Sequence, residues 1–282
     1  MKGLIIAVLG IVLLSACGAL VERAGNQLGE NLRGAILDHD DPATVAEAMP
    51  AWLLLLDAML RSQPESSGLL ISASRLYSAY TGLFVDDQER AERLSQRSLD
   101  YARRALCLEQ EALCQQLDAP FLDLEAAIGQ LQPQAADSVY ALATAWTGWI
   151  QVNRNDYAAI ADLPKVEALL RWVIEVDEEL DAGGPFLYLA VLNSQRPAAV
   201  GGDLEGARGF YERALALSAD QNLLIKVYYA EEYSRMVFDQ DLHDRLLREV
   251  LAADPDVPGY ALGNHLAQAR AEILLEESNE YF

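Results

Sequence analysis

Residues 203–215 read DLEGARGFYERAL, and this stretch indicates a fold built from packed helices. Asp203 stands where a helix N-cap is expected, because its carboxylate can accept hydrogen bonds from the free amides of the first turn. Small Ala207 and Ala214, with aromatic Tyr211 between them, recur at helical spacing. This pattern lets a second helix approach closely at the alanines while the ring fills the groove beside them. We therefore predict a helix over 203–217 that packs against a neighbouring helix.

The following segments have the length of a known helical repeat. Residues 221–236 and 239–253 both show helical periodicity, and the span from Leu224 to Val257 covers 34 residues, the period of the tetratricopeptide repeat. Earlier segments show only traces of the pattern, such as DYARRAL at 100–106. The sequence therefore predicts an all-α fold, an array of antiparallel helix pairs resembling degenerate tetratricopeptide repeats.

Helical signals continue through the rest of the chain. Ala, Leu, Glu, Arg and Gln are abundant, and few segments alternate with period two. Asp239 and Ser138 are placed to cap helices of their own. No linker is long enough to divide the chain, so we expect residues 17–282 to form a single helical domain. The clearest helices are predicted near 43–62, 67–84, 87–106, 120–131, 134–153, 164–180, 185–195, 203–217, 221–236, 239–253 and 259–278.

The N-terminus has the features of a bacterial lipoprotein signal. A cationic Lys2 precedes an apolar run over 4–14, and the small residues of LSAC lead to Cys17 in a pattern that resembles the lipobox. We predict a signal peptide over 1–16 and lipidation of Cys17, which holds a soluble domain at a membrane without spanning it. The alternative is an uncleaved signal-anchor helix, but the apolar run is shorter than the roughly 20 residues that a span needs.

Two further features bear on the membrane. Gly18, rather than an aspartate, would follow the lipidated cysteine, and by resemblance to the sorting rules of Gram-negative bacteria this favours the outer membrane over the inner. A second apolar stretch, 49–60, is interrupted by Asp57 and is too short to span. We therefore expect the lipid to be the only membrane attachment of a periplasmic protein.

The charge balance excludes one class of partner. The chain has 43 acidic and 21 basic residues and a formal net charge of -22. Binding to nucleic acid phosphates needs clusters of Lys and Arg, so a nucleic-acid partner is not expected. The same balance argues against general electrostatic adhesion to anionic lipid.

Two cysteines remain after Cys17, and the sequence leaves their state open. Cys107 and Cys114 would lie about 10 Å apart on one straight helix, which is too far for a disulfide. A disulfide, which an oxidising periplasm would permit, therefore requires the helix to break between 109 and 112. The alternative is a pair of buried small hydrophobic residues.

The sequence offers no candidate catalytic residues. The three histidines show neither a His-x-x-x-His nor a Glu-x-x-His pair, and no Cys/His cluster is present, so we expect no metal site. A Gly-x-Ser-x-Gly motif and a phosphate-binding glycine loop are also missing. We therefore predict a protein that is not an enzyme and needs no cofactor.

Aromatic residues are the remaining candidates for a site. They recur at helical spacing, which is typical of core packing but also of an apolar groove or channel for a ligand or a partner helix. The candidate lining residues are Trp146, Trp149, Tyr228, Tyr229 and Tyr233.

Several stretches together resemble the TatT component family associated with TRAP transporters, the helical lipoproteins that partner the periplasmic solute-binding subunit. The resemblance is densest from 139 to 275, and the order and spacing of the motifs carry it more than any one of them. The stretches are AWTGWI at 145–150, IADLPKVEALL at 160–170, PAAVGGD at 197–203, YAEEY at 229–233 and NHLAQARAEILL at 264–275.

The resemblance implies a function as well as a fold. It implies an accessory protein of a TRAP-type uptake system that binds the periplasmic solute-binding protein, forms a homotrimer, and holds or conducts a small hydrophobic or organic-acid ligand through an apolar pore. No short family motif marks ligand residues, so none is carried over. The alternative is a general scaffold lipoprotein whose repeats recruit envelope proteins without any solute.

Overall fold

The computed structural model describes residues 33–196 and 201–282. The predicted signal peptide over 1–16, Cys17 and the PAAV part of one family-like stretch, 197–200, lie outside the described residues. The described residues contain no strand, and the predicted all-α fold is confirmed.

The helices follow the predicted segments closely. Fourteen α-helices in the described ranges are numbered here in chain order. They are α1 Pro42–Ser62, α2 Ser67–Phe84, α3 Gln88–Glu109, α4 Glu111–Cys114, α5 Phe121–Ile128, α6 Ala136–Val152, α7 Tyr157–Ala161, α8 Leu163–Val176, α9 Gly184–Gln195, α10 Leu204–Leu217, α11 Leu223–Tyr228, α12 Gln240–Ala252, α13 Ala261–Glu276 and α14 Ser278–Tyr281.

Side-chain caps fix where several helices begin. Asp203 accepts a hydrogen bond from the Gly206 amide at the start of α10, and Asp239 accepts one from Leu242 at the start of α12. Both predicted caps are confirmed. The cap predicted at Ser138 is wrong, because α6 begins earlier, at Ala136, and the Ser138 hydroxyl instead donates to the Ala135 carbonyl from inside the first turn.

Neighbouring helices pack against one another along the chain. Helix α1 packs on α2, α2 on α3, α3 on α6 and α6 on α8; then α8 packs on α9, α9 on α10, and α12 on α13. Two large apolar cores result. The central core includes Leu99, Trp146 and Leu169, and the C-terminal core includes Tyr211 and Leu247.

Helix α9 belongs to both cores. Leu189 and Leu192 lie in the central core, whereas Phe186 and Ala190 lie in the C-terminal core. Apolar residues cover all of its sides, in keeping with a buried rather than an amphipathic helix. Helix α9 therefore forms part of the boundary of both cores.

Helix α1 is fastened to its neighbours through Asp57. The Tyr77 hydroxyl donates to Asp57 Oδ2 at 2.9 Å, the Tyr101 hydroxyl donates to Oδ1 at 2.7 Å, and Arg97 lies 3.2 Å from Oδ2. Tyr77 lies on α2 and Tyr101 and Arg97 on α3. The carboxylate that interrupts the apolar stretch of the sequence thus points toward the protein and joins three helices.

Helix α1 is also unusual in its composition. Among the described helices it is the one long and apolar enough to cross a membrane, with a mean hydropathy of 1.4 over 18 residues. Only 22% of that window is buried within the protein. The helix runs beyond the stretch over 49–60 that the sequence marked as too short, because residues from Pro42 onward extend it.

Cys107 and Cys114 form a disulfide in the structure. Helix α3 ends at Glu109, Gln110 leaves the helical conformation, and α4 begins at Glu111. This break brings the two Cα atoms to 4.9 Å, within the range that a disulfide requires.

Replacing both cysteines by serine (C107S/C114S) is expected to lower the free energy of unfolding by about 2 kcal/mol, because a crosslink across a short loop removes entropy from the unfolded chain. Chemical denaturation of the oxidised protein and the variant measures the difference. The oxidised protein treated with reductant should match the variant. Equal midpoints for all three samples would contradict the prediction.

Candidate functional site

The structure divides the predicted aromatic set between the two cores. Trp146 is 1% exposed in the central core, and Trp149 packs at the edge of the same core. Arg103 and Lys165 lie over the Trp146 ring, 5.1 and 5.7 Å from a ring centroid. The three predicted tyrosines, Tyr228, Tyr229 and Tyr233, belong to the C-terminal core instead. The five residues therefore do not form one lining, and a ligand-contacting role for them stays a prediction.

Three tyrosines of the C-terminal core form a compact cluster. Tyr211 on α10 stacks on Tyr229, with ring centroids 4.6 Å apart and planes 7° from parallel. Tyr233 meets both rings edge-on, at 6.4 Å from Tyr211 and 5.2 Å from Tyr229. Burial raises the pKa of Tyr211 well above its ordinary value. The cluster is thus a buried platform of stacked and edge-on aromatic rings.

A π-helix positions two of these rings. Residues Tyr229–Ser234 continue α11 as a π-helix, in which backbone hydrogen bonds join residues five rather than four positions apart. The Ser234 hydroxyl donates to the Tyr229 carbonyl at 3.1 Å. The Tyr211 hydroxyl donates to the Tyr228 carbonyl at 3.2 Å, just before the π-helix. π-helical turns are rare and occur often at functional sites, so this segment marks the region for further attention.

An open cleft lies beside the tyrosine cluster, between α10, α11 and α12. We call it the α10–α12 cleft. Tyr229 is the member of the predicted aromatic set that lines it, and most of the remaining lining is charged. The lining residues are Arg208, Glu212, Leu215, Asp220, Lys226, Tyr229, Asp239, Asp241, Leu242, Arg245, Leu246 and Glu249.

Lys226 lies at the base of the cleft. It is 7% exposed, and its Nζ lies 2.9 Å from Asp220 and 3.0 Å from Glu249. Burial acts to lower the pKa of Lys226, but the hydrogen bonds that its ammonium donates to the two carboxylates outweigh it and raise the pKa. The ammonium group therefore stays charged and links α11 to α12.

Two arginines at the rim of the cleft are more loosely held. Arg208 pairs with Glu212 at 2.9 Å and Arg245 pairs with Glu249 at 3.3 Å, each across one helical turn. Their side chains remain 63% and 62% exposed. Exposed pairs of this kind contribute only about 0.5 kcal/mol each, so a docking surface can exchange them at little cost.

A strained turn at the start of α9 lies between the two cores. Asp181, Ala182 and Gly183 take positive φ angles of 51°, 49° and 86° in succession. Tyr140 donates a hydrogen bond to Asp181 Oδ2 at 3.0 Å. At Gly183 the conformation requires glycine, because a Cβ would lie 2.9 Å from the Leu217 side chain on α10.

Some contacts of this region could be predicted from the sequence, and others could not. The spacings Arg208/Glu212 and Arg245/Glu249 are readable as ion pairs on helix faces. The contact of Lys226 with Glu249 and the stacking of Tyr211 on Tyr229 join separate helices, and no local pattern predicts them. The left-handed turn at 181–183 carries only the glycines of DAGG as a signal.

The described residues form an all-α protein of consecutively packed helices, with a charged cleft beside an aromatic cluster. Residues 38–282 match a family described as TRAP transporter T-component. The chain belongs to this family, which confirms the resemblance seen in the sequence. The protein is thus an accessory component of a TRAP transport system at a bacterial membrane, and its family is not one of known enzymes. No curated protein matches the chain.

Proposed function

We propose that this protein is a lipid-anchored, non-enzymatic accessory protein that binds the periplasmic solute-binding protein of its TRAP system. Its family supports the transport role, and the signal-like residues 1–16 followed by Cys17 support anchoring by lipid at the periplasmic face of the outer membrane. In this proposal residues 17–282 act as one domain and assemble as a homotrimer, as the family resemblance implies.

The α10–α12 cleft is the surface we assign to the partner, and its chemistry is the observation that carries the assignment. The cleft combines a buried aromatic platform with a charged rim, the arrangement typical of protein interfaces in which an anchor is surrounded by polar contacts. Its lining has three cationic side chains and five carboxylates, so it presents charges of both signs to a partner surface. Complementary charges across an interface fix register and select among partners.

A role in handling solute is the finer part of the proposal. A small organic acid would need cationic or hydroxyl donors, and Arg208, Lys226 and Arg245 at the cleft supply the cationic ones. The second candidate function, a scaffold for envelope proteins without any solute, uses the same groove. Binding to the solute-binding protein is what separates the two.

The unlipidated mature chain is expected to elute as a trimer and to gain up to three copies of the TRAP-type solute-binding protein from the same organism. Size-exclusion chromatography with light scattering measures both masses. Reversing the two rim charges (R208E/R245E) should raise the dissociation constant about tenfold or more, because the rim then loses the cations available to a partner and adds carboxylates to those of the cleft.

Arg93 provides the matched control. It forms the same kind of exposed, one-turn pair with Glu89, on α3 and outside the cleft. R93E should leave binding unchanged. Equal weakening by both variants would contradict the assignment of the cleft, and no complex at low or moderate salt would leave the scaffold function as the better account.

A further inference from the structure

Helix α1 exposes an apolar stripe along its outer face. Leu54 is 68% exposed and Leu55 is 45% exposed. Ala48, Ala51 and Ala58 are exposed at the same helical spacing, so the five side chains lie on one face, which also carries the exposed Glu47 toward its N-terminal end. We call this face the α1 stripe.

The opposite face of α1 is apolar too. Val45, Met49, Leu53 and Leu60 are buried against the rest of the protein. A helix with two mainly apolar faces is normally covered on both, whether by protein or by lipid. Within the described part of the chain, α1 packs against other helices on one side only. The apolar side chains of the α1 stripe are therefore exposed.

Arginines border the stripe near the C-terminal end of α1. Arg61 is exposed on the flank of α1 that also carries Asp57, and Arg97 reaches Asp57 from α3. Arg104 donates to the Pro64 carbonyl at 2.8 Å, just beyond the end of α1. Asp57 and Asp100 lie among them, and Arg97 pairs with Asp57, so this flank carries charges of both signs. Guanidinium groups beside an apolar face can reach lipid phosphates while their stems stay in apolar surroundings.

The position of α1 in the chain brings it near a membrane. Residues 33–38 already contact the domain, since Asp38 accepts a hydrogen bond from the Gly259 amide and Arg33 lies 3.9 Å from Asp181. The 15 residues 18–32 therefore separate the predicted lipidated Cys17 from the domain. A segment of 15 residues spans at most about 50 Å. A lipid anchor at Cys17 therefore holds the α1 stripe at high effective concentration beside the bilayer surface.

We propose that the α1 stripe and its arginine flank lie on the surface of the anchoring membrane. Leucine and alanine side chains contact the acyl boundary, and the exposed Arg61 reaches lipid headgroups, as in an interfacial amphipathic helix. The inference rests on the lipid anchor of the proposed function, and it adds a second, weaker contact that fixes the orientation of the domain. The net negative charge of the remaining surface keeps the rest of the protein away from the lipid.

Vesicle flotation of the mature chain with Cys17→Ser tests the proposal without the anchor. The protein is expected to float with vesicles of phosphatidylethanolamine and phosphatidylglycerol, and less with vesicles of phosphatidylcholine alone. The double variant L54D/L55D should reduce the partition coefficient about tenfold or more, since the burial of two leucines is lost. Brominated lipid should quench fluorescence that W52F removes, because Trp52 lies on α1.

Leu122 provides the control surface. It is 73% exposed on α5, and L122D should leave flotation unchanged. Absence of flotation overturns the proposal, and a loss of trimer in L54D/L55D under those conditions would assign the stripe to a second copy of the chain. The mass of the mature chain from the native host reports separately on lipidation of Cys17, so a failed anchor and a failed membrane contact are distinguishable.

Discussion

Replacement of Trp146 by alanine is expected to lower the free energy of unfolding by about 3–5 kcal/mol, the range for deleting a large aromatic side chain from a packed core. Trp146 is 1% exposed and ranks among the largest fully buried side chains of the protein. Its removal also takes away the ring over which the Arg103 guanidinium and the Lys165 ammonium lie, although each keeps a carboxylate partner. Urea denaturation followed by circular dichroism measures the change.

The same variant distinguishes a core residue from a channel lining. A ring facing an open lumen would lose few contacts, so a change below about 1 kcal/mol would contradict close packing and favour the lining role predicted from the sequence. W149A serves as the internal comparison, because Trp149 is half-buried at the edge of the same core and should cost less.

Replacement of Asp57 by alanine is expected to lower the free energy of unfolding by about 2–4 kcal/mol, because removing one partner of a largely buried network leaves the others unpaired. The Asp57 side chain is 19% exposed and binds Tyr77, Tyr101 and Arg97. Burial, and then the bond to Asp57, raise the pKa of Tyr101, so at neutral pH its hydroxyl is a proton donor that needs this acceptor.

Hydrogen exchange locates the effect of D57A. Amides of α1 should lose protection more than those of α12, since Asp57 is the polar link between α1 and the next two helices. D137A is the control, because Asp137 forms an exposed pair with Arg75. Uniform loss of protection across the protein, or a change as small as that of D137A, would contradict a fastening role.

Much of the fold was predictable because its signals are local. Helix periodicity, the caps at Asp203 and Asp239 and the prolines between segments each act within a few residues, and the helices begin and end close to the predicted positions. The cap predicted at Ser138 was wrong because a serine near a helix start can either cap the helix or donate to a carbonyl from inside the first turn. Which of the two forms depends on where the helix begins in the folded structure.

The candidate site was less predictable. Tyr229 lines the cleft, but Trp146 lies in another core, since aromatic stripes at helical spacing look the same on a packed face and on an open one. The π-helix at Tyr229–Ser234 could not be predicted, because its residues show no spacing that differs from that of an α-helix. Lys226 pairs with Asp220, in the preceding loop, and with Glu249, on another helix. Such pairing depends on tertiary structure, so no local pattern predicts it.

Helix α9 gives residues to both cores, and the three left-handed residues before it set its direction. A helix shared in this way leaves no seam along which the halves can rotate, because moving one half would open voids in the other. The described helices are consequently expected to move as one body, so any reorientation of the α10–α12 cleft has to carry α1 with it.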